Sequence, residues 1–354
     1  ICDLAFDFPI PLINLDKNIH ILELFHGPTF AFKDFAARFM ARTMQYFMKN
    51  KNVERTILVA TSGDTGSAVA NGFYKMDGIN VVILYPSGRV SKIQEQQLTT
   101  LGENIKAIEV EGSFDDCQKI VKTAFLDSEI RNQKKISSAN SINISRLLPQ
   151  SIYYTWAWIC AGRPKDIIIS VPSGNFGNLT GGLIAKKMGL PITKFLASVN
   201  SNDVFPKYLQ TGEYKPKPSK QTLSNAMDVG NPSNFERIQN LYQSNKEKIN
   251  KDILSLSIDN DLTIKEIKET KNKFNYLADP HTAVGLKGLK NFLSKNQTGI
   301  VLSTAHPGKF ADVIEPIIGE KIKLPNQLEA SLKKEKQRIL IPNNYEQFKS
   351  LLLD

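Results

Sequence analysis

The sequence predicts an α/β fold of two lobes, each with a mostly parallel sheet flanked by helices. Short apolar runs rich in β-branched residues alternate with segments whose apolar residues recur at helical spacing, a pattern typical of parallel strands joined by crossover helices. The chain has 354 residues, of which 41% are hydrophobic, and this suits two lobes better than one small domain. No low-complexity linker interrupts the pattern, so we expect nested lobes: a large lobe of 1–69 and 161–330, a smaller lobe of 70–160 and a peripheral C-terminal segment of 331–354.

The two most apolar runs, RTILVAT at 55–61 and DIIISVP at 166–172, are expected to be buried parallel strands. The predicted strands are 19–25, 55–61, 80–85, 105–112, 166–172, 193–199 and 299–304. The predicted helices are 32–49, a segment from the SGDTGSA turn to about 76, 91–101, 113–127, 146–161, a segment from the SGNFGN turn to about 188, 281–294 and 308–317. Between 200 and 262 polar residues and prolines dominate, which predicts a surface excursion with short helices.

The helix beginning near residue 32 has one strongly apolar face, so we expect it to be buried. Its apolar positions are Phe32, Phe35, Ala36, Phe39, Met40, Met44 and Phe47. Lys33 lies in its first turn, after the Gly-Pro turn of LFHGPTFAFKD at 24–34. The positive end of the helix dipole and burial both lower the pKa of a lysine, and a neutral amine can form an imine with an aldehyde. The alternative interpretation is a lysine that reaches solvent from the helix start.

Charge and composition exclude several classes of protein. The net charge is +10, but many lysines lie in 245–275 and 320–340 among acidic residues, which favours a solvated surface over a nucleic-acid site. No apolar run is long enough to span a bilayer. The three cysteines lack metal spacing and indicate a reducing cytoplasm. The four histidines form no ligand cluster, so we expect no catalytic zinc.

Five blocks of sequence resemble, in the same order, the motifs of the threonine synthase family. They are LFHGPTFAFKD at 24–34, TSGDTGSA at 61–68, NSINISR at 140–146, VPSGNFGN at 171–178 and STAHPGKF at 303–310. The pattern is most similar to the longer branch of the family, with microbial and fungal members. That resemblance implies the type II fold of pyridoxal-phosphate (PLP) enzymes, with Lys33 as the Schiff-base and catalytic lysine. It also implies several dozen residues upstream of Ile1, so we expect this sequence to be a fragment or a trimmed chain.

The block at 171–178 follows a strand and opens a helix. Its glycines, Gly174 and Gly177, can adopt conformations closed to other residues, so backbone N–H groups at a helix start could hold a phosphate. An ordinary Gly-rich turn is the alternative. The resemblance assigns the cofactor phosphate to Gly174, Asn175, Phe176, Gly177 and Asn178.

Two further strand ends carry hydroxyl groups. The resemblance places Ser62 and Thr65 at the substrate carboxylate, and Asp64 beside the ring hydroxyl of PLP, where related enzymes carry Asn. It places Thr304 at the pyridine nitrogen, where a hydroxyl, unlike a carboxylate, does not force protonation of the ring. The alternatives are a helix cap at 62–65 and a strand-end hydroxyl without a ligand. We assign no catalytic role to His281, which lies in the cap region of a predicted helix.

Arg146 can bind a phosphate through two parallel hydrogen bonds; its alternative is a surface arginine. The resemblance implies that Ser141, Arg146 and Asn178 bind the phosphate of O-phospho-L-homoserine, which reacts with water to give L-threonine and phosphate. Related alternatives are a threonine or serine dehydratase, a lyase that releases 2-oxobutyrate, and a non-catalytic PLP-binding relative. We expect a cytoplasmic monomer or homodimer with neither nucleic-acid nor membrane partners.

Overall fold

The computed structural model describes residues 1–49 and 54–354. The strands are β1 Leu12–Asp16, β2 Ile19–Glu23, β3 Arg55–Ala60, β4 Ile79–Pro86, β5 Ile105–Glu111, β6 Ile136–Ser138, β7 Ile167–Pro172, β8 Lys194–Val199, β9 Ile253–Ser257, β10 Thr298–Ser303 and β11 Ile339–Pro342. The helices are α1 Cys2–Ala5, α2 Lys33–Met48, α3 Asp64–Phe73, α4 Lys92–Thr99, α5 Phe114–Leu126, α6 Ser128–Gln133, α7 Ser151–Cys160, α8 Gly177–Lys187, α9 Val204–Thr211, α10 Phe235–Leu241, α11 Lys246–Asp252, α12 Asn260–Phe274, α13 Pro280–Phe292, α14 Ala311–Ile318, α15 Asn326–Leu332 and α16 Tyr345–Leu353. The chain divides into unit 1, with 1–7, 27–146 and 324–354, and unit 2, with 8–26 and 147–323.

Unit 1 contains a parallel sheet with the strand order β11-β5-β4-β3-β6. Successive residues of β3 alternate between two cores, because side chains along a strand point to opposite faces. Ile57 and Val59 pack with α2 and α3, whereas Leu58 and Ala60 pack with α5 and α16. Both faces of the sheet are therefore covered, which explains why 57–60 is apolar throughout.

Unit 2 contains a sheet with the order β1-β2-β10-β7-β8-β9. The β1–β2 pair is antiparallel and the other pairs are parallel. Side chains from β2, β7, β8 and β10 pack against α12, α13 and α14 in one core. The strands β7 and β10 lie side by side, so the turns after Pro172 and Ser303 leave the same edge of the sheet.

Several predicted elements need correction. The excursion at 200–262 contains β9, which pairs in parallel with β8, and α12, which begins inside it. The predicted helix 146–161 begins as a helix only at Ser151, because Pro149 lies in a short 3-10 turn before it. Phe47 is 64% exposed, so the expected buried face of α2 is wrong at this position.

The units also have different boundaries from the expected lobes. Residues 55–60 were expected in the large lobe, but β3 pairs with β4 and β6 and so lies in unit 1. The C-terminal segment contributes β11 to the same sheet through pairing with β5. The pairings of β3 with β6 and of β11 with β5 are not visible in the sequence, because these strands are not consecutive in the chain. No helix within the described residues has the length and apolar content that a membrane crossing needs.

We predict that Phe348→Ala destabilises unit 1 strongly. Phe348 is fully buried in the core that joins α16 to β5 and β11, and emptying such a site lowers the free energy of unfolding by about 3–5 kcal/mol. Urea unfolding would measure the change.

The matched control is Phe47→Ala, which removes the same side chain from an exposed position. It should change the free energy of unfolding by less than about 1 kcal/mol. If Phe348→Ala lowered the free energy of unfolding no more than Phe47→Ala does, the C-terminal segment would not stabilise unit 1.

Candidate active site

Lys33 is the first residue of α2 and follows the Gly27–Pro28 turn. Its amine lies 4.4 Å from the centroid of the Phe32 ring. Burial, and after it the nearby Arg146 cation, lower the pKa of Lys33 to about 8 against the opposing effect of the Asp64 carboxylate. A substantial fraction of the amine is therefore neutral near physiological pH, as a nucleophilic lysine requires.

Asp34 holds the turn that precedes the lysine. It is fully buried and accepts hydrogen bonds from the backbone N–H of Thr29 at 2.9 Å and from its hydroxyl at 2.7 Å. A Cβ on Gly27 would lie 2.5 Å from Oδ2 of Asp34, so the turn passes too close to the carboxylate for any other residue. Sequence reasoning did not assign Asp34 a role, although its place beside the candidate lysine was a signal.

The second turn joins β3 to α3. Gly63 has φ +134° and Asp64 is the first residue of α3, where the carboxylate favours the positive end of the helix dipole. Asp64 is buried and accepts a hydrogen bond of 2.9 Å from Nε2 of Gln94. Ser62 and Thr65 are partly exposed, and among the described residues neither hydroxyl has a hydrogen-bond partner. Both hydroxyls can therefore serve a ligand at this helix start.

Arg146 is buried, which excludes the surface interpretation. One guanidinium nitrogen donates to the carbonyl of Ala139 at 2.7 Å. Burial lowers the pKa of Arg146 to about 10, and the Asp34 carboxylate opposes this shift. Ser141 lies in the same segment and is partly exposed. Asn140 exchanges two hydrogen bonds with the backbone of Ala60, which fixes the segment to the end of β3.

In unit 2, the backbone of the turn from β7 to α8 differs from the sequence-based expectation for its glycines. The residue with a left-handed backbone is Phe176, at φ 58°, rather than Gly174 or Gly177. Gly174 is needed for a different reason, because a Cβ there would lie 2.6 Å from Cα of Met227. The strained backbone of Phe176 is stabilised by the packing of its buried ring. The centroid of this ring lies 4.6 Å from that of the Phe205 ring.

The 233–234 segment fixes this turn through hydrogen bonds to Asn175. Oδ1 of Asn175 accepts hydrogen bonds from the backbone N–H and the hydroxyl of Ser233 at 2.6 and 3.0 Å. The carbonyl of Asn175 accepts a third from Nδ2 of Asn234 at 2.8 Å. Sequence reasoning missed these supports, since they are nearly 60 residues away in the chain.

Two neighbouring tyrosines determine the orientation of the side-chain amide of Asn178. The buried hydroxyls of Tyr153 and Tyr154 each lie 2.6 Å from its Oδ1. Burial raises the pKa of both tyrosines, so both stay protonated donors. Oδ1 is thereby fixed as the acceptor, and Nδ2 is left buried with no hydrogen-bond partner among the described residues. An unsatisfied buried donor is unfavourable unless a ligand accepts from it.

Thr304 follows β10 and is buried, and no hydrogen bond of its hydroxyl to a described residue is present. His281, by contrast, has both ring nitrogens engaged: Nδ1 with Asp279 at 2.7 Å and Nε2 with the N–H of Ala226 at 3.2 Å. It therefore serves the start of α13. No group of three or more His, Cys, Asp or Glu residues in the described part of the chain could hold a metal ion.

Comparison with known proteins decides the family. A family model for pyridoxal-phosphate-dependent enzymes matches residues 8–304, and one for the C-terminal part of threonine synthase matches 282–352. Threonine synthase from Buchnera aphidicola is 48% identical over 328 residues, which are 92% of this chain and 76% of that protein. The chain belongs to the threonine synthase family of PLP-dependent enzymes.

Two solved structures of the family agree with the fold. Threonine synthase from Escherichia coli superposes with a TM-score of 0.94 at 41% identity, over 99% of this chain and 82% of that one. PLP-bound threonine synthase from Brucella melitensis gives 0.90 at 35% identity, over the same shares. The predicted fold class, family and cofactor are thus confirmed, whereas the individual site residues stay predictions.

The described residues fit PLP. An aldehyde needs a neutral amine, and Lys33 has a lowered pKa. A phosphate needs donors, and Asn178 has an unsatisfied buried N–H group beside a helix start. A pyridine nitrogen can pair with a hydroxyl, and Thr304 offers a buried one that has no hydrogen bond to any described residue.

We predict that PLP capture depends on pH through Lys33. The pKa of Lys33 is lowered to about 8, so capture should increase as the pH rises through about 8 and the amine loses its proton. Visible absorbance of bound PLP across pH would measure the midpoint. Lys33→Ala should abolish the band, and a midpoint near the usual lysine value would contradict a buried amine.

We predict that Asn178→Asp weakens binding of a phosphate group about 10- to 100-fold, because a buried donor becomes an acceptor with negative charge. The dissociation constant of PLP and the inhibition constant of orthophosphate would be measured together, and at least one should rise. The control is Asn240→Asp, the same change at an exposed position of unit 2. Unchanged constants in both variants would remove Asn178 from the list of ligand-binding residues.

Proposed function

We propose that this chain converts O-phospho-L-homoserine and water into L-threonine and phosphate, with Lys33 as its catalytic residue. The observation that carries the proposal is a pair of cationic side chains in unit 1, of which Lys33 is partly exposed and Arg146 is buried. Lys33 has a pKa that allows a neutral amine, and buried Arg146 stays charged at physiological pH because its pKa falls only to about 10. The first group suits an aldehyde cofactor and the second a phosphorylated substrate.

Lys33 would hold the cofactor and then act on the substrate. PLP, when bound, supplies an electron sink for negative charge at the substrate carbons. The Nζ atom of Lys33, once released, is a neutral amine that can take the proton from the α-carbon and return it later. Arg146 supports this role, since its charge disfavours the protonated form of Lys33.

The phosphate of the substrate would be bound by Arg146, Ser141 and Asn178. Arginine can donate two parallel hydrogen bonds to one phosphate, and the buried Nδ2 of Asn178 can donate a further one. A substrate phosphate bound in this way is held as the leaving group. A dehydratase has no such phosphate to bind, so these residues favour the phosphorylated substrate over serine or threonine.

The remaining groups would orient the substrate and cofactor. The hydroxyls of Ser62 and Thr65, which have no hydrogen-bond partner among the described residues, lie at the start of α3 and suit the substrate carboxylate. Asp64 would lie at the ring hydroxyl and Thr304 at the ring nitrogen. The turn 174–178 would donate backbone N–H groups to the cofactor phosphate.

Location and assembly belong to the same proposal. The cysteines Cys2, Cys117 and Cys160 are all free thiols, which supports a reducing cytoplasm. We propose either a monomer or a homodimer, without nucleic-acid or membrane partners.

The test is a product assay with O-phospho-L-homoserine. Threonine and phosphate should appear in equal amounts. Arg146→Gln should raise KM for this substrate about 10- to 100-fold, because a charged hydrogen bond to phosphate is lost. Arg89→Gln, the same change at an exposed position of unit 1, is the control. Release of 2-oxobutyrate instead of threonine would identify a lyase and contradict the proposal.

A further inference from the structure

We propose that Gln94 is a positioning residue for the reaction: its side-chain amide fixes the carboxylate of Asp64 and holds it as a hydrogen-bond acceptor at the start of α3. The inference rests on the proposed role of Asp64 at the cofactor. Gln94 lies 30 residues further along the chain, and none of the sequence blocks that resemble the family includes it.

The orientation of the Gln94 amide follows from its partners. Gln94 is fully buried near the start of α4. Its Oε1 accepts a hydrogen bond of 3.1 Å from the backbone N–H of Ser91, and its own N–H donates to Oγ of Ser91 at 3.2 Å. Since Oε1 is the acceptor in this capping box, the opposite end of the amide must be Nε2. That nitrogen lies 2.9 Å from Oδ1 of Asp64 and donates to it.

The turn before α3 is shaped around this glutamine. A Cβ on Gly63 would lie 2.5 Å from Cδ of Gln94, so the turn leaves space for the amide by having no side chain there. The hydroxyl of Thr61 accepts from the N–H groups of Gly63 and Gly66 at 2.9 and 2.8 Å, which fixes the same turn from within. A glutamine that served only to cap α4 would not require this fit to a second helix start.

Two other residues of α4 anchor this helix to the C-terminal segment. Nε2 of Gln96 donates to the carbonyls of Ser331 and Lys334, both at 3.0 Å. Glu95 forms an ion pair with Lys336. The C-terminal segment therefore holds α4, and α4 presents a fixed amide to Asp64.

The consequence is electrostatic as well as geometric. A hydrogen bond to a buried carboxylate favours its ionised form. The charge of Asp64 raises the pKa of Lys33, whereas the Arg146 cation lowers it; Asp34 in turn raises the pKa of Arg146. Gln94 therefore fixes the position of one of the two charges that, besides burial, shift the pKa of Lys33, although it does not contact the lysine.

The experiment compares Gln94→Glu with Gln347→Glu in the full chain. The first variant keeps the shape and the acceptor for Ser91, and glutamate suits this position of a capping box, but it replaces the amide donor to Asp64 with a carboxyl oxygen. The second makes the same chemical change at an exposed position of α16 in unit 1, away from Asp64 and α4. Both are tested for PLP affinity and for the pH midpoint of PLP capture, with thermal unfolding as the check on folding.

We expect Gln94→Glu to raise the dissociation constant of PLP at least about tenfold, since the amide donor to Asp64 is lost and two buried carboxyl groups must share one proton. Its midpoint should also change, because the shared proton alters the charge that Asp64 presents to Lys33. Gln347→Glu should leave both values at those of the unaltered chain. If Gln94→Glu does not fold, Gln94→Met carries the test, with at least about a fivefold rise expected from the lost hydrogen bond.

Unaltered affinity and midpoint in Gln94→Glu would overturn the inference, as would equal changes in Gln347→Glu. The proposed function fails on a different result. In that case the unaltered chain would show no visible band with PLP, or Lys33→Ala would keep the band, whatever the outcome at Gln94.

Discussion

The need to keep one amine neutral inside the protein governs the arrangement of unit 1. A buried ammonium is unfavourable because it loses its hydration, and the Arg146 cation adds repulsion. The carboxylates of Asp34 and Asp64 limit these effects without cancelling them. Asp34 acts on Arg146 and Asp64 acts on Lys33, so each of the two cations has a buried counter-charge. The balance leaves Lys33 with a pKa near the physiological range and Arg146 fully charged.

Polar groups whose hydrogen bonds are all made within the protein are structural, whereas groups that still lack a partner can bind a ligand. The two ring nitrogens of His281 have protein partners, as has the amide of Asn140 at the end of β3. These groups hold the backbone and have little capacity for a ligand. Asn178 and Thr304 differ, because Nδ2 of the first and the hydroxyl of the second have no partner among the described residues. Such unsatisfied groups remain available to form a hydrogen bond with a ligand.

The motifs located the ligand-binding candidates but not the residues that orient them. Asp64 and Asn178 belong to recognisable turns, whereas the donors that orient them are Gln94, Tyr153 and Tyr154, which lie 24 to 30 residues away in the chain. A turn sequence shows which functional groups are available. It does not show which partner fixes an amide or a carboxylate, because that partner is brought near only by packing of a second helix.

The amino-acid sequence by itself determined the α/β class, most strands and helices, the lysine turn and the family, because periodicity and glycine turns are local properties of a chain. Tertiary structure decided which sheet each strand joined: β3 and β11 lie in unit 1, and β9 extends the sheet of unit 2. It also decided that Phe47 is exposed and that Phe176, rather than a glycine, adopts the left-handed backbone. These outcomes depend on which surfaces meet after the chain folds, and neither spacing nor residue type records such contacts.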